Sequence, residues 1–335
     1  VVAYDFAPNQ YSSGASGEAG DNSLHVDNPS LFNTANHVLV HQTRGGSGTT
    51  GGTWEVNAVL SVNGNNLLLV KDLENTYVTD DTAKAQVVLA SSFGTLEVVG
   101  GGTVSPAAPL AADGSSGGIV YIRANQITVK NGGVIHADGA GFPGGLAGSP
   151  SGQGSSDCGS GTAGGAGGNC SGGGVGGSFC ASAGGGGNQT EGSSPEQAGS
   201  CPAAPGSGGE ANTDDADLLQ MGGGGGAVVR GAGGAGGGLV VLGSKTIIVE
   251  TGGRISAQGG AGVEAGAGGG AGGTVALYTE VLQDEGEMSV SGGSGGAGGG
   301  DWTFTSGYPT SEVSFNTYSH GGGYSPFYDE FWYPE

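Results

Sequence analysis

The segments GGIVYIRANQITVKNGGVIHADG (117–139) and GGLVVLGSKTIIVETGGRISAQG (237–259) align without a gap at an offset of 120. Ile127 falls on Ile247, Gly132-Gly133 on Gly252-Gly253, and Ala137 on Ala257. A third copy, GGTVALYTEVLQDEGEMSVSG (272–292), follows at a further offset of 35 and loses two residues at its turn. Each copy reads as paired glycines, an alternating strand, a second short strand, a glycine turn, a third strand and a long glycine tract. Repetition on this scale marks stacked supersecondary units. Short strands turned by glycine predict a parallel β-helix or solenoid, with Ile127, Ile247 and Leu282 in one inward ladder.

The tracts between the copies, GGAGVEAGAGGGAGG (259–273) and GGSGGAGGG (292–300), offer no side chains to pack. Ordering glycine costs roughly 1–2 kcal/mol per residue, so ordered tracts require backbone hydrogen bonds in a close array. Bundled polyglycine-II-like strands meet that requirement, because only glycine lets neighbouring backbones approach. The whole chain has 80 Gly in 335 residues, without the strict three-residue period of collagen. No apolar run approaches the 18 residues of a membrane-spanning helix. Eight Lys+Arg against 30 Asp+Glu give a net charge of −22, which excludes nucleic acids and anionic membranes as partners and favours cations. A chain that starts at Val1 rather than Met is the expected form of a secreted protein after removal of its signal peptide.

Working outward, residues 1–23 read as an N-terminal arm with one apolar stretch that includes Val1, Val2, Tyr4 and Phe6. Residues 24–113 contain HVLVH, TWEVNAVLSV, NNLLLVKDL, AQVVLA and GTLEVV between turn signals, and predict an antiparallel sandwich or small barrel. The solenoid is assigned to 114–300, with an insertion at about 140–236 that carries Cys158, Cys170, Cys180 and Cys201. Their spacing matches no zinc-ligand pair, and the reading is two disulfides of open pairing. In 301–335 lie eleven of the 22 aromatic residues, among them Phe327, Tyr328, Phe331, Trp332 and Tyr333, which read as an interaction surface.

The succession TWEVNAVLSVNGNNLLLVKDL, GGIVYIRANQITVKNGGVIHADGAGFPGG, DLLQMGGGGGA and GGGLVVLGSKTIIVETGGRISAQGG resembles glycine-rich secreted surface proteins of myxobacteria and other environmental bacteria, some associated with adventurous gliding motility. The resemblance covers about residues 37–300. It implies a surface location and a β-solenoid, and it implies no activity.

Several motifs bear on chemistry. Gly231 to Gly236 satisfies G-x-G-x-x-G, but it follows a glycine tract and leads into a strand, so no helix N-terminus receives a phosphate. His37 and His41 share a strand face, and two ligands do not make a metal site. Asp214, Asp215 and Asp217 are calcium candidates, against the plainer reading of a solvated turn or the N-cap of a short helix at 217–220. The acids of the repeats are dispersed, and His136 and His320 have no Ser or Cys motif nearby, so no catalysis and no cofactor beyond calcium is expected. The leading reading is a secreted structural subunit that polymerises with itself into an extracellular filament or sheath, joined through its arm and aromatic tail. The alternative is a cell-surface or phage-like adhesin for glycans. A β-helix polysaccharide-cleaving enzyme is third.

Overall fold

The computed structural model describes residues 2–46, 48–146, 183–188, 191–192, 194, 206–210, 217–227, 231–263, 267–295 and 316–319. The described residues form an all-β protein whose one helical element is a single 3-10 turn at Pro29–Leu31. In chain order the strands are β1 (Val2–Phe6), β2 (Tyr11–Ser12), β3 (Ser23–His25), β4 (His37–Arg44), β5 (Trp54–Asn63), β6 (Asn66–Leu69), β7 (Lys84–Leu89) and β8 (Ser91–Val104). Then follow β9 (Ile119–Val129), β10 (Val134–His136), β11 (Leu239–Val249), β12 (Arg254–Ser256), β13 (Thr274–Asp284), β14 (Glu287–Ser289) and β15 (Asn316–Ser319).

The repeat copies become tiers of one parallel sheet. The long strands β9, β11, β13 and β15 lie side by side, as do the short strands β10, β12 and β14. β8 joins the two rows: its first half pairs with β9 and its second half with β10, so the sheet folds over and nearly closes. The registers follow the sequence alignment. Leu239 pairs with Ile119 and with Thr274, offsets of 120 and 35, and Arg254 pairs with Glu287, an offset of 33 that records the two residues lost at the turn. Leu96, Ile127, Ile247 and Leu282 form one column on the inner face, as the alignment requires. A second inner column, Val104, Ile135, Ile255 and Met288, faces it from the short row. The turns between the rows need glycine for its backbone: Gly101, Gly132 and Gly252 sit at φ of 80°, 74° and 81°.

The second sheet is antiparallel and curled, in the order β2-β7-β4-β5-β6-β3. β4 is buried on both faces. Val38 and Val40 pack inside the curl with Leu24, Leu67 and Tyr77, while Leu39 packs with Ile119, Tyr121, Leu239 and Val241 of the parallel sheet. The antiparallel unit expected at 24–113 therefore has different edges. β2 from the arm belongs to it, and β8 leaves it to form the first tier of the parallel sheet. The arm itself pairs within the chain, since β1 lies parallel to β8 and Phe6 meets Phe93 edge-on at 5.9 Å.

The described glycine tracts run outside both sheets as a cross-bonded lattice. Gly268 N donates to Gly226 O, Gly226 N to Gly184 O, Gly234 N to Gly268 O and Gly225 N to Gly234 O, all at 2.8–2.9 Å. The tract at 222–227 thus donates to two neighbouring tracts, through Gly226 and Gly225, and accepts from a third through Gly226. These glycines adopt no positive φ, so their backbone does not require glycine. Space does: a Cβ on Gly184, Gly234 or Gly268 would fall well inside contact distance of a neighbouring carbonyl.

Candidate functional site

The short row presents a polar grid on its outer face. Alternation along β10, β12 and β14 turns Ile135, Ile255 and Met288 inward and leaves Val134, Arg254 and Glu287 in one outward column and His136, Ser256 and Ser289 in the next. Asp138, Gln258 and Ser291 continue it beyond the strand ends. Asp138 is the hub: its Oδ1 accepts from Gln258 N at 2.7 Å, and its Oδ2 accepts from Ser256 Oγ at 3.0 Å and pairs with Arg254 Nη1 at 3.3 Å. Gln258 Nε2 donates to Ser289 Oγ at 2.6 Å, linking the next tier.

His136 stands beside this carboxylate, with Nδ1 3.8 Å from Asp138 Oδ2. That nitrogen instead accepts from Asp138 N at 3.3 Å, which leaves the ring proton on Nε2. Burial holds the His136 imidazole below its ordinary pKa; the nearby Arg254 pushes the same way and Asp138 opposes. A Ser, a His and an Asp thus meet, but not as a nucleophilic relay. Ser256 is fully buried and bonds Asp138 rather than His136. Arg254, His136 and Gln258 stay partly exposed, so the grid offers guanidinium, imidazole, amide and hydroxyl groups on a flat face. The sequence does not bring these residues together: Asp138 reads there as one of several acids that border glycine turns, a calcium candidate, and His136 as a histidine with no Ser or Cys motif nearby. The pairing of His136 with Ser256 at offset 120 and of Ser256 with Ser289 at 33 is the signal that could have found the grid.

The histidine pair of β4 is structural. His37 and His41 share the face turned toward the parallel sheet, and His41 Nε2 lies 2.8 Å from Leu219 O. Residues 217–220 are not helical. They are held by Trp54 Nε1 donating to Asp217 O (2.8 Å), Leu219 N donating to Gly52 O (2.9 Å) and Thr274 Oγ1 donating to Gln220 O (2.7 Å), so the backbone groups that a helix would use are committed to neighbours. Trp54 and Tyr278 pack at 5.6 Å across the same seam.

This seam is expected to lose stability in acid. Burial lowers His41 from 6.5 to about 4, and burial with the Arg123 charge lowers His37 to about 4. A pKa depressed in the folded state means that the unfolded chain binds more protons between these values, so stability falls as pH drops from 6.5 toward 4. For fully buried His41 the loss is on the order of 3 kcal/mol. Glu55, whose carboxyl is raised by burial, has the opposite sign. We expect the urea midpoint to fall between pH 7 and pH 4.5, and His41→Gln to flatten that fall; an equal slope in the variant refutes the assignment.

Of the other sequence candidates, Asp214, Asp215, the four cysteines, Val1 and the tail aromatics Phe327, Tyr328, Phe331, Trp332 and Tyr333 lie outside the described residues, as do the side chains of Val2 and Tyr4. Among the described residues, no three His, Cys, Asp or Glu side chains converge on a metal-sized site, and no helix is long and apolar enough to cross a membrane.

No family model matches the chain, and no curated protein does. Solved structures similar to part of it include two phage tailspikes. One is the Gp54 tailspike of Acinetobacter baumannii bacteriophage AP22, in complex with A. baumannii capsular saccharide, at 14% identity, TM-score 0.21, and 41% of this chain against 27% of that one. The other is the tailspike protein gp49 from Pseudomonas phage LKA1, at 16% identity, TM-score 0.22, and 41% against 28%. The chain spans about a quarter of the length of these tailspikes.

Proposed function

We propose that this is a secreted, non-catalytic surface adhesin. In this reading the parallel tiers are a β-solenoid, the glycine lattice is a polyglycine-II-type bundle that stiffens it, and the polar grid of the short row binds a glycan. The grid carries the proposal. Its donors and acceptors repeat at the strand spacing of about 4.8 Å and suit a ligand whose hydroxyls both donate and accept. The net charge of −22 repels polyanions, so the ligand class is neutral glycan. The resemblance to glycine-rich surface proteins supports the extracellular setting. The geometry of Asp138 favours binding over cleavage, because both its oxygens are already engaged by the protein's own donors.

The chain is expected to be retained by immobilised neutral polysaccharides. Replacing two direct donors, Arg254→Ala with Gln258→Ala, should weaken retention about tenfold or more, since hydrogen bonds are worth roughly 0.5–1.5 kcal/mol each. Lys245→Ala on the long row should leave it unchanged. No retention by the wild-type chain, or equal retention by the double variant, defeats the reading. The filament remains a second proposal, supported by the outer edge of β14, which has no partner strand among the described residues. Electron micrographs showing filaments of the purified chain would move it ahead.

A further inference from the structure

Four steps in the chain place a carboxyl or amide side chain directly before glycine: Asn63-Gly64, Asp113-Gly114, Asn131-Gly132 and Asp138-Gly139. In each, the glycine turns the chain at a positive φ, of 60°, 79°, 74° and 60° respectively. A glycine has no side chain to keep its own amide nitrogen from the carbonyl carbon of the side chain before it, so each step can in principle close a ring. Backbone conformation therefore does not separate the four. Hydrogen bonding does. Gly114 N donates to Ala111 O, Gly132 N to Gly252 O and Gly139 N to Gln258 O, each at 2.8 Å, which keeps these nitrogens from attack. Gly64 N donates to no group among the described residues.

Asn63-Gly64 stands at the tip of the β5–β6 hairpin. Asn63 and Asn66 form its last pair, and Gly64-Asn65 is a two-residue loop whose first residue takes the positive φ. All four residues are exposed, and nothing lies within 4 Å of a Cβ added to Gly64. The Asn131 side chain, by contrast, lies against Gly252 of the next tier.

We infer that Asn63 is a site of spontaneous covalent modification in the folded chain, and that the hydrogen bond on the glycine amide spares the other three steps. Gly64 N gives up its proton and bonds to Asn63 Cγ, closing a five-membered imide, and the side-chain nitrogen leaves with a proton as ammonia. Water then opens the ring. Cleavage between the nitrogen and Cγ leaves an aspartate at this position. Cleavage between the nitrogen and the main-chain carbonyl leaves an isoaspartate, whose main chain runs through the former side chain and carries an extra methylene into the hairpin. No electrons are exchanged. Either product adds one negative charge at an exposed tip of a chain already at −22, and neither depends on what the polar grid binds.

Incubation of the full chain in mildly alkaline buffer, followed by peptide mapping with mass spectrometry that distinguishes isoaspartate, tests this. The Asn63 peptide should convert faster than the Asn131 peptide by about tenfold or more, the factor that one backbone hydrogen bond supplies. In urea, where neither amide is held, the two rates should converge. Asn63→Gln, an exposed change, should leave the fold intact and remove the acidic species that ion exchange resolves from the aged wild-type chain. Equal rates at the two sites in the folded chain overturn the inference, as does conversion of Asn63 in urea alone. A difference that persists in urea also overturns it, because the contrast would then belong to local sequence and not to the fold.

Discussion

Gly268→Val is expected to remove most of the stability of the folded chain. Its amide donates to Gly226 and its carbonyl accepts from Gly234, so it ties two neighbouring tracts together. A Cβ there would collide with the carbonyl of Gly184. Overpacking in an ordinary core costs about 1–3 kcal/mol because side chains can shift. Here the obstacle is backbone, and separating the tracts breaks hydrogen bonds and buries unpaired N–H groups at roughly 1–3 kcal/mol each. The sum is about 4 kcal/mol or more, against a typical total of about 5–15. Gly269→Val should behave alike, since its Cβ would meet the carbonyl of Gly293. Gly94→Ala is the control: its φ is ordinary and nothing lies within 4 Å of an added Cβ. Thermal unfolding should show both valine variants melting far below the parent and the control unchanged. Parent-like melting of Gly268→Val would mean that the lattice is a tolerated surface loop.

Removal of residues 1–12 should leave a chain that does not fold cooperatively. The arm is wired into both sheets. Buried Asn9 donates through Nδ2 to Leu89 O (2.9 Å) and Tyr121 O (2.7 Å), and its Oδ1 accepts from Tyr121 N (2.9 Å). Tyr11 OH donates to Ile119 O at 2.7 Å, and burial pushes this phenol up to about 12. Deletion exposes the edge of β8, a template for aggregation, together with the apolar face that Phe6 covers. Asn9→Ala is the sharper form. It removes all three of these hydrogen bonds, a loss on the order of 3 kcal/mol, equivalent to roughly 6–12 °C in Tm. Light scattering and circular dichroism separate this from a connector role. If the arm served mainly to join neighbours, the shortened chain would be a soluble, folded monomer.

Much of the fold was legible because the repeat keeps apolar residues where side chains face inward. A column of identical environments accepts the same residue types at a constant offset, so 120 and 35 in the sequence became the strand registers. The tier at β8 escaped notice although Gly101-Gly102 precedes Gly132-Gly133 by 31. Its inner residues, Leu96, Val98 and Val104, suit any β-sheet, and nothing local in GTLEVV distinguishes parallel from antiparallel pairing. The 217–220 segment misled for a related reason: a polar residue before two leucines fits a helix start, but its carbonyls are taken by Trp54, His41 and Thr274 from distant parts of the chain.

The sequence by itself determined the β class, the three repeat tiers, their register and the inward ladder, because those depend on periodicity and on residue type in contact with like residue type. It also determined that glycine must serve two purposes, though not where each applies. Only the tertiary structure decided that the turn glycines are kept for their positive φ and the tract glycines for the closeness of neighbouring backbones. The tertiary structure alone also showed that the arm closes the first tier within its own chain. The polar grid belongs to the same class of fact. His136, Asp138, Arg254, Ser256 and Gln258 lie up to 122 residues apart, and no local pattern marks them. They meet because stacking at a fixed offset puts the outer faces of successive tiers 4.8 Å apart, about the reach of one hydrogen-bonded side chain to the next.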